Sequence, residues 1–379
     1  MKFGTKAVHA GVHPDPTTGA IMTPIFQTST YVQASPGKHK GYEYSRTHNP
    51  TRTAMEHALA ALENGCSCIA FSSGMAATDA IIRLLKPGDE VISTNDLYGG
   101  TYRLFTKLFE PYGIKFSFVG MQSAQSIEQY ITPATKMIWV ETPTNPLMNI
   151  IDIQGIAELA KAHDILTVVD NTFASPYLQN PLNLGADICV HSFTKYIGGH
   201  SDVVMGGVIV NDESIEARLR FINNAAGAVP APMDCFLILR GIKTLHLRMR
   251  QHCLNGAKIA QFLANHSKID KVYWPGFASH PNHEIAKRQM KDFGGMVSFT
   301  QKGDKMEDAL QVMEGVKLFS LAESLGGVES LVTHPATMTH ASIPKAEREK
   351  GGLKDTLIRL SVGVEDVDDL IADLEQALG

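Results

Sequence analysis

Lys195 stands at the centre of HSFTKYIGGHSD, directly after the apolar run DICV, so it lies just past the carboxyl end of a strand. A lysine is ordinarily a solvated surface charge. Here Ser192 and Thr194 set hydroxyls beside it, and apolar neighbours can bury its stem and lower the amine pKa. A desolvated amine near another cation is the usual Schiff-base-forming nucleophile. Earlier in the chain, the apolar run ILTVVD closes on Asp170. A carboxylate there is costly without a cationic partner. A protonated pyridine nitrogen would be one, and keeping it protonated makes the ring an electron sink. A helix N-cap or a structural salt bridge would satisfy Asp170 equally well.

Two further segments offer anion sites. FSSGMAATDA runs from a strand through a Ser-Ser-Gly turn into a helix, where the backbone N–H groups of Gly74 and Met75 and the Ser73 hydroxyl suit a phosphate. YEYSRTHNP carries Tyr44 and Arg46, a hydroxyl and a guanidinium able to grip a phosphate, in an irregular stretch. If that stretch reaches a second subunit, the site is shared between two chains. Tyr98, before Gly99 and Gly100 at the end of a strand, is placed to lay its ring over a flat cofactor.

Composition removes other classes. The 379 residues carry 34 Lys plus Arg against 39 Asp plus Glu, a formal charge of -5, without the basic footprint of a nucleic-acid binder. No apolar run approaches a membrane span, and MKFGTKAVHAGVH lacks an apolar leader core, so a cytoplasmic protein is expected. The five cysteines contain no CxxC pair and read as reduced thiols. Neither GxGxxG, GK[ST], GxSxG nor HExxH occurs. The most closely spaced histidines, His280 and His283, fall in a Pro- and Asn-rich segment that reads as a solvated loop, and no metal is expected.

These residues must be held by elements whose periods are visible in the sequence. The first forty-odd residues show no sustained period and read as an extended arm, residues 1–47. TRTAMEHALAALENG is helical, with Met55, Leu59 and Leu62 on one face and Gly65 closing it. Alternating apolar runs and helices follow: CIAF, EVIST, KMIWVE, ILTVVD and DICVHS. This predicts an α/β domain over 48–242 with a mainly parallel sheet and its site at the carboxyl ends of strands. The long helical stretch after Gly241, the strand-like GGMVSFT and TLIRLSVGVE, and a last helix capped by Asp366 predict a smaller α+β domain over 243–379.

Phosphate cradle, ring stacker, buried aspartate and lysine, in that order, match a pyridoxal-phosphate enzyme. The chain resembles the Cys/Met-metabolism family of fold-type I pyridoxal-phosphate enzymes, which have an aspartate-aminotransferase-like fold, and is most similar to its cystathionine γ-lyase and γ-synthase branches. The resemblance spans Thr5 to Leu378 through YSRTHNPTR, SSGMAA, DLYGGTYR, ETPTNP, VVDNTFASP, HSFTKYIGGHSD, AESLGGVESL with HPATMTH, and RLSVGVED. It implies pyridoxal 5'-phosphate bound covalently by Lys195, with Asp170 on the pyridine nitrogen and Tyr98 stacked on the ring, where Tyr98 also serves as a general acid. It assigns the phosphate to Ser73, Gly74, Met75, Ser192 and Thr194, joined by Tyr44 and Arg46 from a neighbouring subunit.

The resemblance places the substrate α-carboxylate on Arg359, with Asn145 and Ser324. Arg103 would face the distal carboxylate and Glu323 the distal ammonium. Gly100 stands where methionine γ-lyases carry cysteine. The implied reaction is α,γ-elimination of cystathionine to cysteine, 2-oxobutanoate and ammonia; γ-replacement by a cystathionine γ-synthase or an O-acylhomoserine sulfhydrylase is the alternative. The implied assembly is a homotetramer of paired active dimers, acting on a small amino-acid thioether, with no nucleic-acid or membrane partner.

Overall fold

The computed structural model describes residues 1–341 and 343–379 and contains two sheets, formed one after the other along the chain. Seven short strands make the first: β1 (Ser67–Phe71), β2 (Glu90–Thr94), β3 (Lys115–Val119), β4 (Thr135–Glu141), β5 (Leu166–Asp170), β6 (Ile188–Ser192) and β7 (Gly206–Val210). Their order is β1-β7-β6-β5-β4-β2-β3, and only β7 runs antiparallel to its neighbours. The expected mainly parallel α/β sheet is therefore present, and the carboxyl ends of β1, β2, β4, β5 and β6 share one edge.

Helices flank this sheet: α1 (Phe3–His9), α2 (Pro50–Glu63), α3 (Gly74–Ile82), α4 (Gly99–Arg103), α5 (Ala124–Glu128), α6 (Ile153–Ala162), α7 (Ser175–Leu178), α8 (Glu213–Ala226), α9 (Pro232–Ile242) and α10 (Leu245–Asn265). α2 starts where Asn49 accepts the N–H groups of Thr51 and Arg52 and Pro50 takes a position needing no donor. Its Met55, Leu59 and Leu62 are buried, as their spacing predicts, each contributing about 1.5–3 kcal/mol. The helix ends on Asn64, not Gly65: Asn64 adopts the left-handed conformation at φ 58°. Gly65 serves packing instead, since a Cβ there would lie 2.3 Å from Ile209.

The N-terminal segment departs from a wholly extended arm, because Phe3–His9 is helical. Two turns are too short for a sequence period to register, and docking stabilises them. Ala7 is buried, Phe3 packs edge-on against Tyr177, and Lys6 donates to Ala61 O and Asn64 Oδ1. Residues beyond α1 are irregular up to α2, apart from the isolated bridge Thr30–Tyr44.

After α10 come β8 (Ile269–Tyr273), α11 (His283–Gln289), β9 (Met296–Gln301), α12 (Met306–Gly315), β10 (Ser320–Leu321), β11 (Leu331–Thr333), α13 (Lys345–Lys350), β12 (Ile358–Ser361) and α14 (Val367–Leu378). The five strands order as β10-β11-β12-β9-β8, antiparallel except β10 with β11. Asp366 caps α14 through the Asp368 N–H. His280 lies in a loop as expected, but neither histidine is freely solvated: His280 bonds Met148 O, and His283, first residue of α11, bonds Pro275 O and stacks on Phe293. No helix of the described residues is long and apolar enough to cross a membrane.

One close approach positions the start of α3. A Cβ on Gly206 would lie 2.5 Å from the backbone of Ser73 and Gly74. Gly206→Ala must therefore push β7 from the Ser73–Gly74 turn, a loss of about 1–3 kcal/mol for overpacking. Thermal unfolding should show a lowered midpoint together with weakened phosphate binding; unchanged values would contradict this packing.

Candidate active site

The strand ends of the large sheet converge with two segments of the small one. A cavity of about 370 Å³ lies between them, its wall including Gly74, Tyr98, Asp170, Lys195, Ser324 and Arg359. Lys195, three residues past the end of β6, donates from Nζ to Ser324 Oγ over 2.7 Å. Burial lowers its amine to about 8, and the nearby Arg359 cation pushes the same way, against Glu323. Ser324 receives that bond from a backbone at φ 99°, a conformation disfavoured for a side-chain-bearing residue and a mark of strain held at a working site.

Arg359 lies in β12, one per cent exposed. Nη1 donates to Asn145 Oδ1 at 2.8 Å; Nη2 donates to Ser324 O at 2.9 Å and to Thr333 Oγ1, on its register partner in β11, at 3.3 Å. Its Nε finds no partner among the described residues. Burial draws the guanidinium down to about 10, yet it remains a cation at neutral pH. A planar carboxylate is the group that such a free, charged donor selects. Asn145 is itself clamped, its carbonyl bonded by His340 Nε2 at 2.9 Å.

The phosphate candidates surround the α3 start. Ser73 Oγ accepts the Ala76 N–H at 3.0 Å as the helix N-cap, leaving its own proton to donate elsewhere. Gly74 lets Ser192 approach, since a Cβ there would lie 2.9 Å from Ser192 Cβ. Thr194 differs from expectation in detail. Its hydroxyl donates to Met205 O and accepts the Met205 N–H, so it must give up the first bond to donate to a phosphate.

Asp170 closes β5 and lines the cavity; its Oδ1 accepts the Thr172 N–H at 3.0 Å. Burial raises its pKa, while the Thr172 bonds and the charge of His191 oppose the rise. Tyr98 caps α4 with its ring in the cavity wall, and burial keeps its phenol protonated. Gly100 makes that ring position available: a Cβ there would meet Tyr98 Cε1 at 2.3 Å.

The donor set fits pyridoxal phosphate. It combines an amine of lowered pKa, a helix start with hydroxyls, an aspartate behind, an aromatic ring and an unpaired guanidinium donor. Glu323 and Asn145 also line the cavity. Arg103 does not; it is exposed on α4, though its charge acts on Tyr98. Tyr44 and Arg46 lie outside this chain's own cavity, where Arg46 packs over the Tyr44 ring and bonds Asn224. The cavity also contains Glu141, Thr172 and Thr339, which sequence reasoning passed over. Glu141 had a signal: it closes KMIWVE just as Asp170 closes ILTVVD.

A buried group lies off the cavity: Glu63, Cys189 and His191 have ligand atoms within 4.8 Å of one another. Asn171 and Asn180 donate amide protons into the Glu63 carboxylate, so its lone pairs serve hydrogen bonds.

The lowered Lys195 value has a consequence for stability. Its folded pKa of about 8 lies below the ordinary 10.5, so folding carries the cost of the charged amine in full below pH 8. That cost fades as pH rises from 8 to 10.5. Lys195→Met should stabilise the cofactor-free chain at neutral pH by about 1–3 kcal/mol, with the gain shrinking above pH 8. Denaturant titrations across that range check it; a gain independent of pH would contradict it.

Residues 4–379 match the family model described as Cys/Met metabolism PLP-dependent enzyme. Relatives bear three names at similar identity. A cystathionine γ-lyase of Dictyostelium discoideum is 52% identical over 100% of this chain and 97% of its own. A cystathionine β-lyase of Coxiella burnetii is 53% identical over 99% and 97%. A cystathionine γ-synthase of Mycobacterium tuberculosis is 52% identical over 99% and 96%. A cavity built for pyridoxal phosphate and a match along nearly the whole chain lead to one conclusion: this chain belongs to the pyridoxal-phosphate-dependent enzymes of Cys/Met metabolism.

Proposed function

We propose that the chain catalyses α,γ-elimination of L-cystathionine, giving L-cysteine, 2-oxobutanoate and ammonia. The observation that carries the choice of a cystathionine-like substrate is Glu323, an exposed acid in the wall of a cavity that also holds the buried Arg359 cation. Cystathionine, a thioether with an amino-acid group at each end, can set one carboxylate on Arg359 and offer its distal ammonium to Glu323. A methyl thioether would leave Glu323 facing an apolar group.

Pyridoxal phosphate, held by Lys195, supplies an electron sink that acidifies the substrate protons at Cα and Cβ. Arg359, with Asn145 and Ser324, orients the carboxylate. Lys195, with a pKa of about 8, exchanges protons readily near neutral pH and so serves as the base at Cα and Cβ. Tyr98, its phenol kept protonated by burial, hands a proton to the departing γ-sulfur. Asp170 would meet the pyridine nitrogen, and Ser73, Gly74, Met75, Ser192 and Thr194 would hold the phosphate. Arg103 faces the distal carboxylate from the rim. Tyr44 and Arg46, carried by the arm of residues 1–47, complete a neighbouring subunit's phosphate site in a cytoplasmic tetramer; Tyr44 is 44% exposed in the single chain, which supports that reading. The large domain of 48–242 and the small one of 243–379 both contribute walls to the cavity.

A second reading is γ-replacement by a cystathionine γ-synthase or O-acylhomoserine sulfhydrylase. Glu323 favours it equally, because an incoming cysteine brings the same ammonium. Pure enzyme given cystathionine should release cysteine and 2-oxobutanoate. Homocysteine with pyruvate would indicate β-elimination, and product only from O-acylhomoserine plus cysteine would overturn the elimination reading. Glu323→Gln should raise KM for cystathionine about tenfold, roughly 1.4 kcal/mol, with kcat little changed.

A further inference from the structure

Glu141 is the acid that the proposed chemistry leaves unused. It ends β4, is four per cent exposed and lines the same cavity as Asp170. The two acids are register partners on adjacent parallel strands, so their Cα atoms are about 4.8 Å apart. Glu141 Oε2 accepts the backbone N–H of Tyr98 over 2.9 Å. Tyr98 is the N-cap of α4, and Glu141 accepts that residue's own N–H from another strand, as the N3 acid of a capping box would. The residue thereby fixes the backbone that aims the Tyr98 ring.

Two buried carboxylates at neighbouring strand ends do not both ionise readily. The surroundings decide which one keeps the proton. Asp170 accepts from Thr172 and has the His191 ring to lower its pKa. Glu141 faces Asp170 on β5 and Asp96 beyond β2, both of which oppose its ionisation. The Tyr98 and Asn145 backbone N–H groups favour its charged form, and the Arg359 cation on β12 interacts with it across the cavity. Burial outweighs these and raises the Glu141 pKa well above the usual carboxylate range.

We propose that Glu141 is a positioning residue for Tyr98 that works as the neutral acid, leaving Asp170 as the ionised carboxyl facing the cofactor ring. The arrangement rests on the reading that Asp170 meets the pyridine nitrogen, and it holds for elimination and replacement alike. A charged Glu141 would compete with Asp170 for the ring's proton. A neutral one keeps a single counter-charge and still accepts the Tyr98 N–H.

Isotope-edited infrared spectroscopy of the holoenzyme, comparing wild type with Glu141→Gln, reads the protonation state directly. A carboxylic-acid C=O band at neutral pH that vanishes in Glu141→Gln is expected; a carboxylate band lost instead would overturn the proposal. Glu141→Gln keeps an acceptor and the neutral charge. It should leave the pH midpoint of the cofactor's visible band unmoved, cofactor affinity within threefold of wild type, and kcat within threefold at neutral pH. A displaced midpoint, or a tenfold weaker cofactor, would show that the residue works as an anion. Glu141→Ala should lower kcat at least tenfold, and a wild-type rate would remove the positioning role. Should the alanine variant fail to fold, the infrared band and Glu141→Gln still decide. These readouts need no choice of substrate reaction, and loss of the visible band in Lys195→Ala tests the cofactor reading separately.

Discussion

Arg359 is a buried cation whose protein partners are all neutral: Asn145, the Ser324 carbonyl and the Thr333 hydroxyl. An ion taken out of water without a hydrogen-bonded counter-ion costs several kcal/mol. Under the proposed function, the missing counter-ion would be the substrate's own carboxylate. Burial chiefly, and the same guanidinium secondarily, lower the Lys195 amine to about 8, so in the proposed function one cation would orient the substrate and help ready the base.

The architecture around that charge follows from where strand ends fall. β5 and β6 deliver Asp170 and, through a short turn, Lys195 to one edge, while β4 delivers Glu141 beside them. The small sheet adds Arg359 from β12 and Ser324 from the loop after β10, so the cavity exists only where the two sheets meet. The linkage is close: Lys195 reaches Ser324, and Arg359 reaches Asn145 on the loop after β4.

Much of this was legible in the sequence, for physical reasons. Asp170 and Lys195 stand out because polar groups closing apolar runs demand an explanation, and the α2 face appears because Met55, Leu59 and Leu62 recur at helical spacing. Glu141 closes an equally apolar run, yet its meaning depends on Asp170 being its register partner, which no linear spacing displays. The helix at Phe3–His9 is held by docking on Tyr177 and Ala61 rather than by its own period. Asn64 rather than Gly65 takes the left-handed position that ends α2, while Gly65 packs against Ile209, a neighbour far along the chain that no local spacing displays. The Thr194 hydroxyl is engaged with the Met205 backbone beyond the turn, a contact that the local motif does not display.

The central claim is that the unpaired Arg359 donor is the anchor for an amino-acid carboxylate. A crystal structure of the holoenzyme with a bound amino-acid substrate or unreactive analogue tests it most directly. The account predicts a carboxylate oxygen within hydrogen-bonding distance of the Arg359 guanidinium, with Nε gaining a partner and the Asn145 bond kept. A carboxylate seated elsewhere, with Nε still unpartnered, would contradict it.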